Sequence, residues 1–307
     1  MPIIQKIYYD IFENQVMISP GGNLLMTSGG FMNLRIAKHK TILWFLAVII
    51  TLASAVYQRM TGPTYPVRGK ITVGDQKIPY KFLRSEVTDR DAKVKLTVVD
   101  STISGYIIYK RYRSNDDWST IPLVREKELL TGYLPKQPAA GKIIYSVHLR
   151  RGTEEVSLTG TQPIILRFKG AVPGWVLIPH ILIIFLAMLL SNRTALEALD
   201  SSGQSKKYML WTIGFFLAGG FILGPAVQKY AFNAWWTGIP FGYDLTDNKT
   251  LIAMLGWLWA WYKNRQQLRH RGWIIFAAVL MLGAYLIPHS LFGSELDYTR
   301  MPGEIRP

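Results

Sequence analysis

The chain divides by hydrophobic pattern. Apolar residues gather into blocks at 41–57, 172–190, 209–227, 246–262 and 272–292. Each is near the roughly 20 residues that an α-helix needs to cross a bilayer. Between the first two blocks the pattern changes to period two. Runs such as Lys93-Val94-Lys95-Leu96-Thr97-Val98 and Ile143-Ile144-Tyr145-Ser146-Val147-His148-Leu149 alternate apolar and polar positions, as strands with one buried face do. Turn clusters such as Gly74-Asp75, Ser114-Asn115-Asp116-Asp117 and Arg151-Gly152-Thr153 separate the runs. About seven to nine short strands at this spacing predict a β-sandwich. Trp118 and Tyr133 are expected to be core or turn aromatics within it.

The expected architecture is an α-helical integral membrane bundle carrying an extracytoplasmic all-β sandwich. The bundle has four C-terminal spans plus one N-terminal anchor or signal. The boundaries fall at a tail (1–40), the anchor or signal (41–57), the sandwich (58–171), the four-helix bundle (172–292) and a second tail (293–307). The first 31 residues show no period and hold Pro20-Gly21-Gly22 and Ser28-Gly29-Gly30. Met32 then opens a basic run directly before the first apolar block, which predicts a translation start at Met32. Ala53-Ser54-Ala55 fits a signal-cleavage site, whereas the apolar run continuing past it fits a retained anchor.

Composition alone, 49% apolar and 18% charged, would suit a soluble protein; the blocks exclude that reading. The net charge of +15 raises nucleic acid as a partner, but the chain holds no RNP, zinc-finger or helix-turn-helix pattern. The cations instead flank apolar blocks: Lys38 and Lys40, Lys206 and Lys207, and Lys263, Arg265, Arg269 and Arg271. The positive-inside rule assigns these flanks to the cytoplasm. The sandwich, the loop 228–245 and the C-terminal tail then lie outside. The sandwich's own basic excess is spread evenly along the sequence and reads as a solvated surface, with anionic lipid or an acidic partner as the alternative. Cysteine is absent, which excludes disulfides, thiolate metal sites and cysteine-linked lipid anchors. No Ser/His/Asp nucleophile pattern, P-loop or dinucleotide fingerprint is present.

Candidate chemistry sits where polar residues enter the apolar blocks. Leu177-Ile178-Pro179-His180 returns near the end as Leu286-Ile287-Pro288-His289. Each proline cannot donate to the carbonyl four residues earlier, of Trp175 or Ala284, and predicts a kink just before its histidine. An ionisable side chain at membrane depth is a functional hypothesis by default. Two imidazoles from facing helices can ligate a divalent metal or, as an axial pair, haem b. The competing reading has both histidines bonding the loosened carbonyls. In the aromatic loop 229–250, Trp235, Trp236, Phe241 and Tyr243 suit the headgroup level. Asp244 and Asp247 there offer additional ligands or support for the histidines; helix capping by Thr246 or Asp247 is the alternative. Gly214, Gly219, Gly220 and Gly224 predict close helix packing in the third block.

Met60-Thr61-Gly62-Pro63-Thr64-Tyr65-Pro66, the 172–190 block, Phe241-Gly242-Tyr243-Asp244-Leu245-Thr246-Asp247-Asn248 and the segment 286–298 together resemble an uncharacterised family of bacterial multi-pass inner-membrane proteins with a periplasmic β-sandwich domain. The resemblance covers roughly residues 58–298. It implies an architecture and a bacterial cytoplasmic membrane, and it carries no activity or catalytic residue with it. Function therefore rests on the residues. The leading expectation is metal or haem binding at the outer face of the bundle, for electron transfer or cofactor handling, with His180 and His289 as ligands and no catalytic side chain assigned. A non-enzymatic assembly or scaffold protein, binding another envelope protein through its basic sandwich, is the alternative. A small-solute or ion transporter is third, disfavoured by few intramembrane charges and no repeat of broken helices. The lipid bilayer is a partner in every case, and nucleic acid in none.

Overall fold

The computed structural model describes residues 40–199, 204–288 and 295–299, and the backbone of 305–306. The expectations for the first 31 residues and the Met32 start lie outside the described residues.

A β-rich region follows the first helix, α1 (Lys40–Thr61), and holds eleven strands, β1 (Val67–Val73) to β11 (Ile164–Lys169). β1 and β2 (Gln76–Phe82) form a hairpin turned at Gly74, whose φ of 58° suits a residue without Cβ. The largest sheet runs β3 (Ser85–Val87), β11, β9 (Lys142–Arg151), β5 (Ile103–Arg111), β6 (Ser119–Pro122), with β10 (Glu154–Ser157) also on β9. A third sheet runs β4 (Ala92–Thr97), β8 (Leu129–Leu134), β7 (Val124–Glu126). Alternate residues of all three sheets meet in one core, including Val73, Ile78, Phe82, Leu96, Ile107, Val147 and Phe168. Each fully buried side chain of this size contributes about 1.5–3 kcal/mol. The region is sandwich-like, with more strands than alternation suggests, because β3, β6, β7 and β10 are only three or four residues long. Trp118 and Tyr133 are not core residues. They are 48% and 52% exposed, with Lys110 and Lys93 placed over their rings at 5.4 and 5.7 Å.

Among the described residues, three helices are long and apolar enough to cross a membrane: α1, α2 (Gly174–Ala198) and the continuous helix Ser205–Phe232. The last consists of α3 (Ser205–Phe216), a π-helical segment (Leu217–Leu223) and α4 (Gly224–Phe232). Two more helices pack with them. α5 (Leu245–Asn264) carries Asp247 and Lys249 near its start, and α6 (Arg271–Leu286) has 16 residues. Met188, Phe216, Met254, Trp257, Ala277 and Met281 form the bundle core. α1 belongs to this packing. Its buried residues Leu43, Ala47, Thr51 and Ser54 form one stripe, Thr51 Oγ1 accepts a hydrogen bond from Asn192 Nδ2 at 2.9 Å, and the Arg193 guanidinium lies over the rings of Trp44 and Tyr208.

Several boundaries differ from the sequence reading: α2 runs on to Ala198 rather than 190, and the third helix ends at Phe232 rather than 227. α1 runs on to Thr61, so residues 58–61 are helix rather than the start of the sandwich. α6 stops at Leu286 rather than 292. Ile287 is extended there (φ −68°, ψ 118°), as a residue before proline prefers; residues 289–292 of the expected span lie outside the described residues. The expected third span is one turn longer at its start and broken by the π segment.

One end of the bundle collects the last turn of α1, the start of α2, the end of α4, the start of α5 and the end of α6. Gln58 Nε2 donates to Tyr285 O at 2.9 Å, and Lys249 Nζ donates to Ile287 O. The β-rich region seats on this same end: Gly170 N donates to Ala231 O at 2.8 Å and the Arg167 guanidinium lies 4.2 Å from the Phe232 ring centroid. Residues 295–299 return to the β-rich region, with Tyr298 Oη donating to Gln137 Oε1 at 2.9 Å and Glu295 paired with Arg113 and Lys142.

Candidate functional site at the junction

The π segment shapes the site. A π turn shifts each backbone bond by one residue, so a carbonyl is offered away from the regular ladder. Here Gly219 O accepts the Gly224 N–H five residues on and also faces His180 Nδ1 at 3.0 Å. A carbonyl only accepts, so Nδ1 carries a proton, and in the neutral imidazole Nε2 keeps its lone pair. The histidine therefore bonds a carbonyl on a neighbouring helix, not that of Trp175 in its own. Gly219 also permits the approach: a Cβ there would lie 2.9 Å from Ile184 Cδ1 and 3.1 Å from Ile183 Cγ2. Close packing is thus the role of this glycine.

Beside this contact the bundle encloses a cavity of about 200 Å³. Its floor is apolar, from Ile184, Met188, Phe216, Ala253 and Met281; its rim is polar, from His180, Gln228, Asp244, Asp247, Lys249 and, contributed by β11, Arg167. The β-rich region thus completes a site that the helices begin. Burial holds the Arg167 guanidinium below its ordinary range, and the charges of Asp244 and Glu295 oppose that.

The two aspartates are tied into the backbone around the rim. Asp244, not Thr246 or Asp247, caps α5: its Oδ1 accepts from Thr246 N at 2.7 Å. Asp247 gathers the preceding loop. Its Oδ2 accepts from Thr237 N (2.6 Å), Thr237 Oγ1 (3.1 Å) and Gln228 Nε2 (3.1 Å). Asn248 Oδ1 adds a bond from Ile239 N at 2.7 Å. Lys249 meets the carbonyl just before Pro288, that of Ile287. His289 lies outside the described residues, so the structure brings together His180, Asp244 and Asp247 of the expected set. Among the described residues, no group of three or more His, Asp or Glu side chains converges as a metal cage.

Sequence reasoning missed Arg167, Gln228 and Lys249. Lys249 was detectable as an ionisable residue at the start of an apolar helix. Arg167 carries no such signal, because strand alternation aims it away from the sandwich core, and only the docking of β11 on the bundle buries it. Comparison with protein-family models, with curated proteins and with solved structures finds no match to this chain.

Proposed function

We propose that this chain is a multi-pass membrane protein that binds a compact amphipathic molecule in the junction cavity, with the β-rich region outside the cytoplasm. The carrying observation is the cavity's polarity: an apolar floor between helices beneath a charged rim partly supplied by the β-rich region. A ligand with an apolar body and one polar group matches that gradient, as few placed polar groups in an apolar pocket usually fix orientation. At about 200 Å³ the space falls below the roughly 300–1,000 Å³ of pockets that enclose drug-sized ligands. A short chain or a small ring system suits it better than a macrocycle does.

In this reading α5 and α6 cross the membrane with the other helices. The 20 residues of α5 span about 30 Å and the 16 of α6 about 24 Å, so α6 meets a locally thinned bilayer or relies on its neighbours. Cationic flanks at Lys206, Lys207, Lys263 and Arg265 favour the cytoplasm for the end opposite the cavity.

A second reading keeps His180 as a ligand to a single metal ion. It is favoured by the Nδ1–Gly219 contact, since ligating imidazoles commonly anchor their other nitrogen on a carbonyl. Purification in mild detergent, followed by an absorption spectrum, metal analysis and extraction of bound small molecules, separates the two. One organic molecule per chain supports the first reading. Stoichiometric metal that is lost in His180→Ala replaces it with the second.

A further inference from the structure

We infer that the outward face of β1, β2 and β4 docks the acidic surface of a partner protein. Arg68 and Lys70 on β1, Lys77 and Lys81 on β2, and Lys93 and Lys95 on β4 are all exposed. The residues alternating with them, among them Val73, Ile78, Phe82, Val94 and Leu96, enter the common core, so the cations share the opposite face. None of the three strands contains an acidic residue. The strands also adjoin: Lys81 and Lys93 line one shallow groove between β2 and β4. The sequence suggested evenly spread charge, whereas folding concentrates it.

Elsewhere in the same region several cations have carboxylate partners, Arg111 with Asp116, Arg113 and Lys142 with Glu295, Arg151 with Asp100, whereas others such as Lys110 and Lys136 stand singly rather than on a shared face. Among the described residues the six on this face have no carboxylate within ion-pair distance. Arg68 stands directly opposite Lys81 in the β1–β2 ladder, an arrangement of like charges that destabilises a hairpin by itself. A complementary anionic surface removes that penalty and steers association.

The strand directions decide between a protein and the bilayer. β1 starts within six residues of the end of α1, so the level of Arg68 and Lys81 is nearest the bundle. Lys77 pairs with Thr72, four residues further along, or about 13 Å at 3.3 Å per residue. That exceeds the roughly 8 Å Debye length at physiological ionic strength. Headgroups therefore reach the lower row only, whereas a protein standing beside the β-rich region meets both.

The test uses the full chain in phosphatidylcholine nanodiscs with labelled poly-L-glutamate as the acidic probe, read by fluorescence anisotropy. Lys70→Glu/Lys77→Glu is expected to weaken binding at least tenfold, and Lys70→Gln/Lys77→Gln by a smaller factor. Arg150→Glu/Lys169→Glu, with the same charge change on other exposed positions, is expected to stay within twofold. Equal losses in the two Glu variants mean that net charge alone attracts the probe, and the inference fails. It fails too if phosphatidylglycerol nanodiscs raise amide protection across 67–82 and 92–97 in the absence of probe, since the face then lies on lipid. Val227→Phe, inside the cavity, leaves these outcomes unchanged, so this test stands apart from the cavity reading.

Discussion

Asp247 shows how much one side chain organises at the junction. Its Oδ2 receives three hydrogen bonds that tie Thr237 of the aromatic loop and Gln228 of α4 to the start of α5. Asp247→Ala leaves the Thr237 N–H without its acceptor in a buried place, which costs about 1–3 kcal/mol. The expected result is a lower unfolding midpoint in detergent together with weaker ligand retention. Away from the bundle, Asp116 accepts two short bonds from Arg111, which holds its carboxyl at about 2, below the usual 3.8. A depressed folded value means that the pair stabilises the fold above about pH 3.8, and that this is lost as pH falls towards 2. The Asp116 side chain is 30% exposed, so the effect stays under about 1 kcal/mol. In Arg111→Ala, the Asp116 titration followed by NMR moves up towards the ordinary carboxylate range. At this scale the sequence marked Asp244 and Asp247 as notable through their position at a helix start. It could not mark Arg167, whose burial depends on a domain contact between residues far apart in the chain.

The π segment in the third helix has a consequence that two glycines make measurable. A Cβ at Gly219 would press on Ile183 and Ile184 and disturb the carbonyl that holds His180. Gly219→Ala is therefore expected to destabilise the protein by about 1–3 kcal/mol. Gly214 has open space around its Cβ position. Gly214→Ala is expected to stabilise by up to about 1 kcal/mol, the helix-propensity difference. Paired thermal unfolding in one detergent checks both signs. Among the described residues, apolar blocks located each long helix and period-two alternation the longer strands, because both rest on where apolar side chains recur. It could not show the π turn, since the glycines that permit it look the same as glycines that only allow packing. It placed Pro288 inside a helix, whereas α6 ends at Leu286, two residues before it.

Across the whole molecule, the contacts at one end of the bundle place the β-rich region and the 237–244 loop together, and residues 295–299 rest on the β-rich region. The cationic flanks lie towards the other end, where Lys206 Nζ reaches Arg265 O. Single cysteines at Lys77 and Gln266, tested with a membrane-impermeant thiol reagent on intact bacterial cells with a permeable outer membrane, are expected to differ. Lys77→Cys reacts and Gln266→Cys reacts only after lysis; the reverse pattern inverts the topology. The order of apolar and strand-like blocks made the division into a β-rich region and membrane-length helices readable from the sequence. The cationic face was not readable, because Lys81 and Lys93 become neighbours only when β2 packs beside β4. A polar pocket joining His180, Asp244 and Asp247 was expected from the sequence, whereas the share of its wall that β11 supplies through Arg167 was not. Native mass spectrometry of the protein released from membranes in mild detergent tests that cavity most directly. The expected spectrum shows one small amphipathic adduct per chain, absent from Val227→Phe, whose ring fills the space while the fold persists. A wild-type spectrum without an adduct, or an adduct unchanged in Val227→Phe, contradicts the assignment of the junction cavity as the binding site.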